Sequence, residues 1–190
     1  MNEPREAGGR DVLLETPRLS LRRFRAGDAD SFAAYRADPE VARYQGWESC
    51  TRSEAVAFID AQLACAPFEP GRWTQIAVEL SGEGTHIGDC ALRMESPVSR
   101  QAEMGFTFAR GYQGRGFATE AVSHLLTYAF ARLGLHRVFA VADARNLRAI
   151  ALVERVGMRR EGEFRDAEWF KGEWVSTVVY ALLETESRAT

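Results

Sequence analysis

Cysteine, histidine and long apolar runs are scarce in this sequence, and each shortage excludes something. Three cysteines among 190 residues, Cys50, Cys65 and Cys90, lie far apart with neither paired nor ligand-like spacing. This argues against a disulfide framework and against a structural zinc site. Three histidines, His86, His124 and His136, have no mutual spacing that would make a metal set, so each is expected to be structural or exposed and no metal is expected. No segment is apolar for the length that crossing a bilayer requires. The opening residues combine Pro4, Gly8, Gly9 and mixed charge with no apolar core, so they read as a loose tail over 1–12 and not as a signal peptide. The cytoplasm is the expected location. An excess of one charge is also missing: 24 Lys and Arg against 27 Asp and Glu leave a formal net charge of −3. Neither nucleic acid nor an acidic membrane is therefore an expected partner, and any phosphate site must be local.

With 46% hydrophobic and 27% charged residues, the chain has the make-up of a globular protein able to bury a core. Leu19, Leu21 and Phe24 suit a short strand, and Gly27-Asp28 breaks it before a helical stretch with Phe32 and Tyr35. Asp38-Pro39 ends or restarts that helix. Thr51-x-x-Glu54 fits a capping box, with Val56, Ile59 and Leu63 as the inner face of a helix ending near Pro67. Thr74, Ile76, Val78 and Leu80 alternate, and a Ser81–Gly84 turn leads into 87–94, which reads as a hairpin that 103–108 extends. The apolar positions Ala121, Val122, Leu125, Leu126, Ala129, Phe130 and Leu133 recur at helical spacing, with Gly134 as the stop. A Val- and Phe-rich strand over 137–142 follows, parallel to its predecessor because a helix joins them. Asn146–Val156 is then a helix closed by Gly157. Residues 164–170 and 174–183 form a closing hairpin around Lys171-Gly172-Glu173. The expected fold is α+β: a mostly antiparallel sheet with helices on both faces, one domain over 13–184, and a tail over 185–190.

The chemistry points to Gly111–Ala118, a glycine-rich turn between a strand and the long helix. Such a turn brings backbone N–H groups and the positive end of a helix dipole to one point, which suits phosphate. A Walker loop requires Gly-Lys-Ser/Thr, which is absent. A dinucleotide fingerprint requires a third glycine or alanine where Thr119 stands, and an early place in a parallel array.

Gln113-x-x-Gly116-x-Ala118, after Phe106-Thr107-Phe108, resembles the pyrophosphate signature of the GNAT superfamily of acyl-CoA-dependent N-acetyltransferases. A second segment, Asn146-Leu147-Arg148-Ala149-Ile150-Ala151-Leu152-Val153-Glu154-Arg155-Val156-Gly157-Met158, is similar to that family's second signature. Leu14-Glu15-Thr16-Pro17-Arg18-Leu19, Glu103-Met104-Gly105-Phe106, Glu161-Gly162 and Arg165-Asp166 resemble the branch that includes ribosomal-protein alanine N-acetyltransferases. The resemblance runs from about Leu13 to Leu183. It implies a twisted sheet whose one parallel strand pair is splayed, often with a bulge, and acetyl-CoA as co-substrate. It leaves the acceptor open between a protein N-terminal amine and a small amine.

The resemblance implies that Gln113, Gly114, Arg115, Gly116, Phe117 and Ala118 hold the pyrophosphate, Arg115 adding a charge-assisted contact. The pantetheine arm would pair with Phe106, Thr107 and Phe108 as an added strand, near Asn146 and Ala149, with the Phe108 N–H facing the thioester. Asn146 also suits an N-cap. Glu103 is the candidate general base, its competing reading being a salt-bridged carboxylate at a strand start. The position at which relatives place an acidic tyrosine is Val153, and Ala149 stands where some carry a serine. The general acid is unassigned, with water, Glu168 or Tyr112 as alternatives, and a non-catalytic acyl-CoA-binding sensor is the rival reading. Tyr44, Trp47 and Trp169 are candidate acceptor contacts. Trp169, Phe170 and Trp174 could form an acceptor pocket, but aromatics in a hairpin more often pack a sheet face or a homodimer interface. Arg18, Arg22, Arg23 and Arg25 read as a solvated face.

Overall fold

Alternation and turn chemistry become a run of strands and helices in a computed structural model that describes residues 12–96 and 98–187. In chain order the elements are β1 (Val12–Glu15), β2 (Leu19–Arg22), α1 (Ala29–Arg36), α2 (Pro39–Ala42), α3 (Arg52–Leu63), β3 (Trp73–Leu80), β4 (His86–Met94) and β5 (Gln101–Phe108). They continue with α4 (Phe117–Ala131), β6 (Arg137–Asp143), α5 (Leu147–Arg155), β7 (Arg159–Phe170), β8 (Glu173–Leu183) and α6 (Glu184–Ser187). The strands form one sheet in the order β1-β2-β3-β4-β5-β6-β8-β7. Every neighbouring pair is antiparallel except β5–β6, which is parallel. The fold is thus the mixed α+β architecture that the pattern predicts.

Period two sorts the strand side chains onto two faces. Ile76, Val78, Cys90, Leu92, Met104 and Phe108 join the α4 residues Ala121, Val122, Leu125, Leu126 and Ala129 in one apolar cluster. On the other face Ala77 meets Phe24, Phe32, Tyr35, Ala55 and Ile59 from the α1–α3 side. Burying a side chain such as Phe32 or Leu125, each at 0% exposure, is worth about 1.5–3 kcal/mol. Helices therefore cover both faces.

Several expectations need correction. Val12, placed in the N-terminal tail, opens β1; residues 1–11 lie outside the described residues. The C-terminal tail begins with a helical turn, α6, in which Glu186 accepts from the Leu183 N–H at 3.0 Å; 188–190 lie outside the description. β7 starts at Arg159, five positions before the predicted 164, because its partner β8 is long enough to pair it from Ala181 outward. Leu63 is 38% exposed, and the inner face of α3 is Ala55 and Ile59 with Val56 and Phe58 packed beside them.

Of the arginines read as a solvated face, Arg18 and Arg25 are exposed, but Arg22 and Arg23 are not. Arg22 is 1% exposed, and its guanidinium donates to Asp28 at 2.7 and 2.8 Å and to Glu79 at 2.9 and 2.7 Å. Burial alone would lower the Arg22 pKa, but the bonds and charges of Asp28 and Glu79 outweigh it and the pKa is raised. Arg23 donates to the carbonyls of Gln62, Leu63 and Cys65 at the end of α3. Buried arginines of this kind look like surface charge in a sequence, because their partners are remote along the chain.

Candidate active site

β5 is paired unequally on its two sides. With β4 its register is unbroken from Met94↔Ala102 to Gly88↔Phe108, so the bulge that the family resemblance suggests is not in this ladder. With β6 it pairs only through Gln101↔Arg137, Ala102↔Val138 and Glu103↔Phe139. Beyond Glu103 the two strands part: β6 stays paired to β8 as far as Asp143↔Thr177, while Met104–Phe108 pair only with β4. The result is a V whose apex is Glu103–Phe139 and whose mouth is near Phe108. Gly88 is required at that mouth, because a Cβ on it would lie 2.4 Å from the Thr107 carbonyl oxygen and 2.9 Å from the Phe108 Cα.

The glycine turn stands directly beyond the mouth. Gly114 has φ +73° and Gly116 φ +81°, left-handed conformations that a Cβ disfavours by roughly 1–2 kcal/mol. Gly116 is the N-cap of α4, and no side chain caps that helix. The first-turn N–H groups of a helix have no intrahelical acceptor, so those of Phe117, Ala118 and Thr119 are left for an external one. α3 and α5 are treated differently. Thr51 and Glu54 close α3 reciprocally, and the Asn146 Oδ1 accepts from the Ala149 N–H at 3.2 Å at the start of α5. The Gln113 amide bends back to donate to the Phe108 carbonyl at 2.9 Å, tying the turn to the end of β5. The Arg115 guanidinium lies 5.1 Å from the Phe117 ring centroid, exposed at the rim.

At the apex Glu103 is mostly buried, its side chain 18% exposed, and it accepts from Arg93 Nη2 at 2.5 Å. Arg93 lies opposite it on β4 and over the Trp73 ring, 5.3 Å from its centroid. Glu103 is thus an ion-paired carboxylate at the fork. Val153 is 2% exposed within the core, so no hydroxyl comes from that position of α5. Glu168 pairs with Val175 in the outer hairpin, and Tyr112 packs against Phe117 with ring centroids 6.4 Å apart.

The candidate acceptor contacts are drawn together only in part. Trp47 donates its Nε1–H to the Arg36 carbonyl at 3.2 Å, and its ring lies 3.9 Å from the Arg36 guanidinium, so much of it serves packing. The Tyr44 hydroxyl donates to the Arg145 carbonyl just before α5. Trp169 is 61% exposed and meets Trp174 edge-on, with ring centroids 5.5 Å apart. Lys171 joins the hairpin to the α2 side by donating to the carbonyls of Ala42 and Trp47 at 2.9 and 2.8 Å.

Across the described residues no group of three or more His, Cys, Asp or Glu could hold a metal, and no helix is long and apolar enough to cross a membrane. His86 is 8% exposed; its Nδ1 meets the Ser31 hydroxyl at 2.8 Å, and burial brings its pKa down to about 4. Arg18, which the sequence reads as part of a solvated face, pairs with Glu120 beside the turn; nothing local in Thr16–Leu19 names a partner so far along the chain.

The sequence matches the acetyltransferase (GNAT) domain family over residues 18–159. This protein belongs to that family. It is 31% identical to the N-acetyltransferase p20 of Bacillus licheniformis over 91% of this chain and 97% of that protein. Among solved structures, a GNAT-family acetyltransferase from Bacillus anthracis superposes with TM-score 0.83 at 27% identity, covering 93% of this chain and 99% of that one. Two more distant neighbours share the fold. Spermidine N-acetyltransferase from Vibrio cholerae in complex with CoA and spermine has TM-score 0.78 and 21% identity, covering 91% and 99% of the two chains. RimL, a ribosomal L7/L12 alpha-N-protein acetyltransferase in complex with coenzyme A, has TM-score 0.79 and 16% identity, covering 91% and 98%. The chain is an N-acetyltransferase of the GNAT fold, and its relatives support acyl transfer to amines.

Proposed function

We propose that this N-acetyltransferase, a single domain over 13–184, uses acetyl-CoA as donor and transfers the acetyl group to a primary amine by direct attack within a ternary complex. The observation that carries the reading is the V between β5 and β6, with an uncapped helix N-terminus at its mouth. An extended arm with its own amides can enter the V and pair with β5 as an added strand, while the pyrophosphate meets the N–H groups of the turn. Asn146 has its Oδ1 engaged in the cap, which leaves its amide nitrogen to donate to the arm. Phe108 stands at the mouth, roughly 16 Å along β5 from Glu103 at a strand rise of ~3.3 Å per residue. A thioester carried toward the apex therefore draws its N–H donor from Phe106 and not from Phe108, since the N–H groups of Gly105 and Thr107 face β4. This places the acyl carbon near Glu103, which takes the amine proton directly or through water. Val153 offers no acid, so water protonates the departing thiolate.

Four carboxylates on the elements around the proposed acceptor site have cationic partners. Asp143 and Glu173 are bonded by Arg145, Glu48 lies 3.6 Å from Lys171, and Glu103 is bonded by Arg93. That pairing leaves little free negative charge for a polyamine and favours a singly charged amine such as a protein N-terminus. The test is release of CoA thiol from acetyl-CoA across N-terminal peptides, amino acids, aminoglycosides and polyamines. Turnover with a peptide amine is the expected result; turnover confined to spermidine overturns the acceptor assignment, and binding of CoA without release from any acceptor leaves a binding module. With the acceptor in hand, Glu103→Gln lowers kcat by about 10²–10⁴-fold if Glu103 is the base, while CoA affinity stays unchanged.

A further inference from the structure

We propose that Arg18 is a positioning residue for donor binding: it holds the Arg115–Gly116 peptide so that its N–H faces the pyrophosphate. The proposal rests on the reading of the turn as the donor's phosphate site. Arg18 lies between β1 and β2, 97 positions from Arg115. Its Nη1 donates to the Arg115 carbonyl at 3.1 Å, its Nε to Glu120 Oε2 at 2.6 Å, and its backbone N–H to Glu120 Oε1 at 2.9 Å. Its guanidinium lies 4.6 Å from the Phe117 ring centroid. Thr16 Oγ1 also donates to Glu120 Oε1, at 2.6 Å.

Three physical consequences follow from this arrangement. First, the C=O and N–H of a planar trans peptide point in opposite directions, and no cis bond occurs among the described residues. Bonding the Arg115 carbonyl to Arg18 therefore turns the Gly116 N–H away from Arg18. The peptide joins Arg115 to Gly116, which is at positive φ, and Gly114 one residue before is also at positive φ, so the glycines on this turn offer little resistance to its rotation, and a rotated peptide would present a carbonyl oxygen to the anion. Second, Glu120 is an acidic residue in the first turn of α4, where its charge opposes a bound phosphate. Arg18 neutralises it. Burial alone would raise the Glu120 pKa, but the donors Thr16 and Arg18 hold it below the usual range, so the carboxylate remains ionised and tied to Arg18. Third, Arg18 Nη2 lies 3.3 Å from where a Cβ on Gly116 would be, so the guanidinium backs the turn closely.

CoA and pantetheine, which lacks the pyrophosphate, separate this role from simple folding support. CoA affinity is measured by calorimetry, and pantetheine affinity by displacement of CoA at millimolar concentration. Arg18→Met keeps an apolar stem over Phe117 and removes the donors. It is expected to weaken CoA by about 10–30-fold, in the range of one charge-assisted interaction, with pantetheine unchanged. Arg18→Lys, which keeps one donor and the charge, is expected to recover part of that loss. Glu120→Gln, which weakens the hold on Arg18, shifts CoA in the same direction by a smaller factor and carries the test if Arg18→Met does not fold. Equal weakening of both ligands, or of neither, overturns the proposal. A wild-type protein that binds pantetheine but gains nothing from the rest of CoA, or binds neither, overturns the phosphate reading itself.

Discussion

Two regions of this molecule treat their polar groups in opposite ways. Beneath α1 most of them are joined to one another: Arg22 is held between Asp28 and Glu79, Ser31 meets His86, and Tyr35 donates to the buried Asp89, while Arg36 Nε and His86 Nε2 are buried without a hydrogen-bond partner among the described residues. α3 alongside is closed by its Thr51–Glu54 box. At the β5–β6 fork and the start of α4, backbone groups are instead left without strand or cap partners. Buried polar groups without partners are costly, so unpaired backbone concentrates where a ligand can complete it. The closed region supports the fold, and the open one is where the proposed donor would be held.

This contrast is broken most severely by removing a partner from the closed region. Arg22→Met leaves Asp28 and Glu79 facing each other without their shared cation, and thermal or urea unfolding is expected to show a loss of about 3–5 kcal/mol, with CoA affinity unchanged in the folded protein. A pH test follows from His86. The folded protein resists protonation until about pH 4, whereas the unfolded chain takes up the proton near 6.5; burial is the main cause, opposed by the charge of Asp28 and reinforced by that of Arg22. Stability is therefore lost as pH falls from about 6.5 to about 4, by about 3 kcal/mol at 1.36 kcal/mol per pKa unit. His86→Gln is expected to remove that part of the pH dependence, measured as ΔG of unfolding across the window.

In the open region the expected pattern is reversed. Gly116→Val forces a β-branched residue to φ +81° in the turn itself, and CoA affinity is expected to fall by about 100-fold, or about 2.7 kcal/mol, with a stability loss of only about 1–2 kcal/mol. The mildest change is Thr51→Ala, which opens the cap of α3. It is expected to cost about 1 kcal/mol of stability and nothing in CoA affinity.

Much of the open region was legible in the sequence, because its signals are local. Glycines at 114 and 116 announce positive φ, the apolar repeat from Ala121 announces α4, and Asn146 announces the cap of α5. The sheet was legible wherever strands were joined by short turns, as at Ser81–Gly84. Distant pairings were not. Nothing in Leu19–Arg22 reveals that Arg22 is buried between Asp28 and Glu79, and nothing in Arg159–Phe164 reveals that β8 inserts between β6 and β7 and lengthens both partners. The same limit hid Arg18, whose partners Arg115 and Glu120 lie 97 and 102 positions away. It also left Glu103 undecided between a base and an ion-paired carboxylate; the structure shows the pair with Arg93 and puts it at the apex of the fork.

The most direct measurement of the central claim is a titration of isotope-labelled protein with acetyl-CoA, read from backbone amide shifts. The amides of Gly114–Thr119 and of Gly105–Phe108 are expected to move together, while those of Arg52–Glu54 at the closed start of α3 stay in place. Shifts that bypass the turn and the fork, or that fall equally on both helix starts, would contradict the account.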